Sequence, residues 1–497
     1  MWISSDVDAS SWNKDTKLEY KFKINVNAKE DLNLDTSGAN APQLTDNMIP
    51  VYYDESSSSW KKADLNNEDK NYKWYDYDNK IWANAVTVTE TNRSTYLSAS
   101  VGTEIPMDDI NTMWVWIPRY TYTYLNTNTP EEIKIKFEKG TSSSGTISCS
   151  DTATGTSSTS EICTDSTNGS VTAGTSTYTH PAFWWDKNDN NTRESGEELT
   201  GIWVGKFEVS SDTTCSVSSP VAVGSGCNLQ TIRPKRIPNA TSWRGAMVGT
   251  FFNDIYNMRE NGNQYGFKTS DETHMMKNME WGAVTYLYHS KYGRCINGTC
   301  EEVIINNCAD GTTGIGADSV YDSALEATCT NSVNKYDGTK GILASTTGNI
   351  YGIYDMSGGA WEYMMGDMIS STGVMMSGYQ TSNNYHSGFT GYLYSGGNYT
   401  GTYDFPNKRY YDKYSYGTSK TEYTRGKLGD ATKEMAPTGT KGNWYSDSAD
   451  FPCSNRPWFM RGGRYDYDSS AGLFYFGGLY GYADYDFSAR VVISNLS

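Results

Sequence analysis

Asp355 and Glu362 are the first pair of residues in this chain that could do chemistry, since two neighbouring carboxylates can divide general-acid and general-base work. They flank a Gly-rich turn, Met356-Ser357-Gly358-Gly359. A carboxylate in such a place more often caps backbone amides or meets a metal, and that is the reading adopted for both. A second acidic set runs from Asp186 to Glu197, where Asp186, Asn188, Asn190 and Glu197 take the first, third, fifth and twelfth places of an EF-hand-like loop. Asn191 stands where the sharp-turn glycine belongs, so two readings stay open: a calcium site, or a solvated acidic loop. No other cofactor is required. The four histidines, His180, His274, His289 and His386, show no paired metal spacing and are read as surface or hydrogen-bonded residues.

The segment Arg464 to Phe487 offers binding chemistry instead. Two clusters rich in Tyr and Asp bracket a framework-like Ala471-Gly472-Leu473-Phe474-Tyr475-Phe476 and lack the apolar periodicity of a core strand. Tyr gives broad amphipathic contact at little rotamer cost, and Asp, Ser and Gly add adaptable polar contacts, the mixture found in antibody paratopes. The expected contact residues are Tyr465, Asp466, Tyr467, Asp468, Leu479, Tyr480, Tyr482, Asp484, Tyr485, Asp486 and Phe487. The plain alternative is an aromatic surface loop of a structural protein.

These residues need a scaffold, and composition describes one. The 497 residues allow more than one domain. With 39 Tyr, 15 Trp and 47 Gly, the chain suits short strands and tight turns better than helices. A formal charge of -17 repels phosphate backbones and anionic headgroups, which disfavours nucleic acid and bare lipid as partners. The nine Cys fall mostly as close neighbours: Cys149 with Cys163, Cys215 with Cys227, Cys295 with Cys300 and Cys308 with Cys329, with Cys453 left over. Spacing does not give their pairing, but local pairs that pin loops suit an oxidising exterior, and the absence of C-x-x-C repeats disfavours metal. No apolar run of about 18 residues occurs, so direct membrane insertion is not expected. No signal peptide is seen, and the abrupt Met1-Trp2-Ile3 start suggests a trimmed export or anchor segment.

Along the chain, residues 1–45 read as a strand, Leu18 to Ile24, followed by a linker. Residues 46–100 form an aromatic block, either a small β module or entry hairpins of the next domain. The main domain, 101–497, opens with Met113 to Tyr122, where Pro118 marks a bend between two strands, and continues with strands at Lys134 to Phe137 and Ile202 to Val209. A Ser/Thr/Gly-rich tract over 139–178 has almost no large apolar side chains and is expected to be a surface excursion or partly disordered. Helices are expected at Ser242 to Arg259 and His274 to Tyr288.

The segment Gly348-Asn349-Ile350-Tyr351-Gly352-Ile353-Tyr354-Asp355-Met356-Ser357-Gly358-Gly359-Ala360-Trp361-Glu362-Tyr363 resembles the N-V-x-G-(I/L)-Y-D-M-S-G-N-V-W-E-W segment of formylglycine-generating enzymes and their non-catalytic relatives. Trp458-Phe459-Met460-Arg461-Gly462-Gly463, Ala489-Arg490-Val491-Val492-Ile493 and Asn278-Met279-Glu280-Trp281-Gly282-Ala283 extend the likeness from about residue 110 to the end. The resemblance implies an α+β, strand- and loop-rich C-type lectin fold of that family's type, with Trp281 and Trp361 as buried anchors. The oxidase members carry copper-binding Cys between the R-G-G element and the last strand, and sulfoxide-synthesising relatives use a three-His iron site. Arg464 to Ser488 holds no Cys, and the four His show no such site, so an oxygen-dependent modifying enzyme is the less favoured alternative.

The clusters over 464–487 resemble the variable region of proteins diversified by retroelements, where template adenines are replaced at random. An altered AAC codon gives Tyr, Asp, Ser, Gly, Leu or Phe, the types found here. The aromatic block resembles segments preceding lectin-fold domains in prophage and pilin-like surface proteins of gut Firmicutes. Together these imply an extracellular adhesin, on a cell surface or virion, that binds a variable protein or glycan partner. A pilus or phage tail subunit with fixed contacts is the alternative.

Overall fold

A computed structural model describes residues 35–141, 147–150, 162–165, 169–170, 172–188, 194, 196–211, 215, 226–228, 231–320, 329, 331–380, 385–392, 398–399, 404–437 and 444–494. The strand expected at Leu18 to Ile24 lies outside them.

The N-terminal part of the described chain supplies β1 (Ile49–Asp54), β2 (Ser59–Lys62) and β3 (Asn84–Val88), followed by β4 (Ile110–Pro118), β5 (Gly201–Gly205) and β6 (Thr273–Met275). The C-terminal part supplies β7 (Trp361–Met368), β8 (Asp412–Tyr414), β9 (Trp458–Gly462), β10 (Gly472–Leu479), β11 (Phe487–Ala489) and β12 (Val491–Ile493). The fold is mixed and rich in sheet, as the composition implies.

One sheet has seven strands in the order β6-β12-β5-β4-β3-β1-β2. All nine residues of β4 are buried, so its near-continuous apolar run is that of a strand covered on both faces. In the aromatic block β3 hydrogen-bonds onto β4, β1 onto β3 and β2 onto β1, so the block extends the seven-stranded sheet. Its Trp74 stacks 6.4 Å from Trp203 of β5, which in turn lies 5.2 Å from Trp116 of β4. Pro118 ends β4 as expected, and Tyr120–Thr123 pairs elsewhere, with Ile135–Phe137 and Thr177–Thr179. Within the tract 139–178, three short strands at Ile147–Ser150, Ile162–Asp165 and Gly169–Ser170 pair with one another.

The second sheet is built on β7. Antiparallel β9 and then β10 lie on one side of it, while β8 and β11 both run parallel to it along the other. Residue 276 ties the two sheets together: the Met276 amide donates to the Arg490 carbonyl and its carbonyl accepts from Met365, both at 2.8 Å.

Among the described residues the α-helices are α1 (Glu90–Ser98), α2 (Val248–Tyr256) and α3 (Asn278–Tyr288). Both expected helices are shorter at their starts. Ser242 and Trp243 are held extended by the carbonyls of Gly311 and Val209, and Thr273 to Met275 is drawn into the sheet as β6. The Glu280 carboxylate then accepts the Lys277 amide at 2.8 Å and opens α3. Nothing in the apolar pattern announces α1, which buries no residue.

Cys295–Cys300 and Cys308–Cys329 are disulfides. Cys149 faces Cys163 in strand register, and the buried Cys227 thiol, its pKa raised, lies against Cys215. Disulfides belong to oxidising compartments and fit a secreted or extracellular protein. No described helix is long and apolar enough to cross a membrane.

Candidate ligand-binding face

The glycine-rich turn is a structural knot. Asp355 adopts φ 60° and is buried, and its carboxylate accepts from the Gly314 amide at 2.8 Å and the Asn306 side chain at 2.9 Å. Burial raises its pKa. Glu362 is equally buried on β7 and holds Arg490, between β11 and β12, through contacts of 2.5 and 2.9 Å. Burial moves Glu362 up to about 7, with Arg490 opposing the shift. The two carboxylates thus cap amides and pin the last strands.

The frame carries the two Tyr/Asp clusters to one place. After β9 the chain turns through Gly463, at φ +74°, where an added Cβ would sit 2.6 Å from the Cβ of Ala471. The first cluster is then tied down by the Tyr465 amide donating to the Gly359 carbonyl at 3.0 Å. The second is fixed at its end by the Trp361 amide on the Asp486 carbonyl at 2.9 Å. Arg464 bridges the clusters, pairing with Asp486 and, at 2.5 Å, with Asp466. Its guanidinium lies 5.0 Å from the Trp361 ring centre and 5.3 Å from that of Tyr467.

The rest of the second cluster rests on two neighbours. The amides of Gly245 and Val248 donate to the carbonyls of Asp484 and Gly481 at 2.9 and 3.1 Å, and the Tyr363 hydroxyl donates to the Tyr482 carbonyl at 3.1 Å. Tyr480 and Tyr482 lie 5.9 Å apart, with Arg456 5.6 Å from the Tyr480 ring. Burial raises the pKa of Asp484 and Asp486, and those of Tyr465 and Tyr467. No family model matches this sequence, and no curated protein matches it.

Accessibility divides the expected contact residues. Asp466 and Tyr485 are exposed, and Tyr465, Tyr467, Leu479, Tyr480, Tyr482 and Asp484 are half-buried with surface to offer. Asp468 opens a short 3-10 turn, Asp468–Ser470. Asp486 and Phe487 are a correction. At 4 % and 2 % exposed they cannot meet a partner directly. Phe487 begins β11 and packs 5.7 Å from Trp361, 5.1 Å from Tyr363 and 5.5 Å from Tyr482, so it supports the face from beneath. Trp361 is corrected too: Trp281 is the fully buried anchor, whereas Trp361 is half-buried at the face. Arg464 and Arg456 were not foreseen, although Arg464 stands directly before the first cluster, where a counter-charge for its Asp residues is to be sought.

The acidic loop has a different character. The Glu197 carboxylate accepts from the Lys187 and Glu194 amides and the Trp184 indole at 3.1 to 3.2 Å. Asn188 is exposed and donates to Glu194 at 2.8 Å, Asp186 is buried, and Asn190 lies outside the described residues. Among the described residues, Asp186 and Glu197 belong to no group of three side chains close enough to share an ion. His180, His274 and His289 are buried and hydrogen-bonded, to the Gly429 carbonyl, Glu280 and Tyr445 respectively. Burial depresses His180 to about 3 and His289 to about 4.

Proposed function

We propose that this is an extracellular ligand-binding protein, displayed on a cell or virion, whose diversified Tyr/Asp face is carried by a C-type lectin fold of the formylglycine-generating-enzyme type. The observation that carries the reading is the meeting of the two clusters. Segments separated in sequence by β10 are clamped side by side through Arg464 and Trp361, while their tyrosines keep accessible surface. A surface of half-exposed tyrosines on a rigid support is what low-entropy aromatic contact requires. The buried Asp355 and Glu362 are committed to the frame, which leaves them no place in acid-base work on a bound substrate. The partner is a protein or glycan.

Sequencing the DNA around the gene tests the diversification. A near-copy of codons 464–487, beside a reverse transcriptase and differing only at adenines, is the expected result. Its substituted positions should fall on Tyr465, Tyr467, Tyr480, Tyr482 and Tyr485 and spare Ala471 to Phe476. A locus without such a copy would sink the diversified reading.

A further inference from the structure

A cleft of about 730 Å³ opens where the aromatic block meets the rest of the molecule, and no residue of the Tyr/Asp clusters lines it. Its walls come from β1, β2, the segment 70–81, Gly102 and Tyr351. That volume is the size of a small-molecule site, and seams between structural units are where such sites concentrate.

Four tyrosines shape it. Tyr351, from the glycine-rich motif, donates its hydroxyl to the Tyr53 carbonyl and accepts from the Tyr53 amide, both at 3.2 Å, which locks the motif to β1. Tyr72 meets Tyr52 edge-on at 5.9 Å. The Tyr72 ring also closes over Gly102, where an added Cβ would lie 2.9 Å from its Cε1. Tyr53, Tyr72 and Tyr351 remain half-buried, so each has ring surface left to give.

Between the rings the charges come as opposed pairs. Lys61 sits 2.5 Å from Asp54, and Lys73 sits 2.5 Å from Asp76. Exposed Lys70 and Glu55 complete the rim with one further charge of each sign. A polyanion or a polycation would meet its own sign as often as the opposite one, and an apolar ligand would strand these groups without water. The ligand that fits is neutral, presents ring faces to tyrosine, and carries hydroxyls that each donate and accept.

We propose that this cleft is a second binding site, separate from the Tyr/Asp face, and that it takes a neutral carbohydrate. Sugar rings would lie against Tyr53 and Tyr72. Vicinal hydroxyls would donate to Asp54 and exposed Glu55 and accept from Lys61 and from exposed Lys70 and Asn71.

The test is titration of the whole protein with lactose, maltose, cellobiose and diacetylchitobiose, followed by saturation-transfer NMR. At least one should bind with a dissociation constant of about 1 mM or tighter, and Tyr72→Ala should weaken it about tenfold or more. Lys70→Ala and Asn71→Ala, at exposed positions that leave packing intact, should weaken it as well, and they decide the matter if Tyr72→Ala does not fold. Failure of all four sugars to bind, or binding that survives the Lys70 and Asn71 substitutions, would overturn the proposal. So would a charged peptide occupying the cleft in their place.

Discussion

Arg464 and Asp486 stand 22 positions apart, near the outer ends of the two Tyr/Asp clusters, and their side chains meet in an ion pair that also reaches Asp466. Asp486 is nearly enclosed while Arg464 is partly open, so the pair sits between the cheap surface bridge and the costly buried one. Replacing Arg464 by Ala should cost about 2 kcal/mol, because Asp486 is left enclosed without its partner. A double-mutant cycle with Asp486→Ala should return a coupling of about 1 kcal/mol in denaturant unfolding. Strictly additive losses would show that the clusters are held by backbone contacts alone.

The face and its support should respond differently to truncation. Tyr465→Ser, Tyr480→Ser and Tyr485→Ser remove rings that already share their surface with water, so each should change stability by less than about 1 kcal/mol. Phe487→Ala empties a site packed by three aromatic rings and should cost about 3 to 5 kcal/mol. Thermal melts of the four variants check this, and a tyrosine variant as damaging as Phe487→Ala would place that ring in the core.

Glu434 predicts a slope of stability with pH. It is buried, accepts the Gly429 amide at 2.7 Å and the Tyr122 hydroxyl at 3.1 Å, and burial lifts it from 4.5 to about 7. A carboxyl whose pKa is raised on folding contributes its stabilisation below the unfolded value and loses it as pH climbs through the folded one. Between pH 5 and pH 8 the protein should therefore lose on the order of 2 kcal/mol that Glu434→Gln does not lose. Parallel pH profiles for the two proteins would refute this.

Calcium should leave the acidic loop unmoved. The Glu197 carboxylate is already spent on two amides and an indole, so the twelfth ligand of an EF-hand-like loop is not poised for an ion. Adding millimolar calcium after chelation should shift the melting temperature by less than about 1 °C, since a ligand stabilises only by binding the folded state. A rise of several degrees would mean that the loop rearranges around the ion.

Much of the scaffold was legible because burial writes itself into residue type. The apolar run Met113 to Ile117, the bend at Pro118, the apolar face of α2 and the spacing of Met279, Val284 and Leu287 in α3 all announce themselves. Helix starts were not legible, since long-range partners at Gly311, Val209 and β12 hold residues extended that local pattern would coil. At the face, composition marked the two clusters but not depth within them. Asp486 has the same residue type as the more accessible Asp484, and its enclosure against Arg464 and the inward turn of Phe487 by pairing of β11 with β7 are long-range effects. The cleft beside Tyr72 was invisible for a similar reason, as Tyr351 joins it from about 300 positions away in sequence from Tyr53.

The position of β12 has a consequence for how the protein is made. Val491–Ile493 is an inner strand, lodged between β6 and β5, although it follows both of them, and every other described strand, along the chain. Until it emerges, β5 presents an unpaired edge, and the seven-stranded sheet cannot close. A frameshift or stop codon anywhere in 464–487 would delete this keystone and leave an open, aggregation-prone chain. Substitutions at the exposed tyrosines keep it. The fold therefore acts as a reading-frame inspector: a chain whose translation goes astray within 464–487 lacks the strand that joins β5 to β6, and only one read intact to residue 493 can mature.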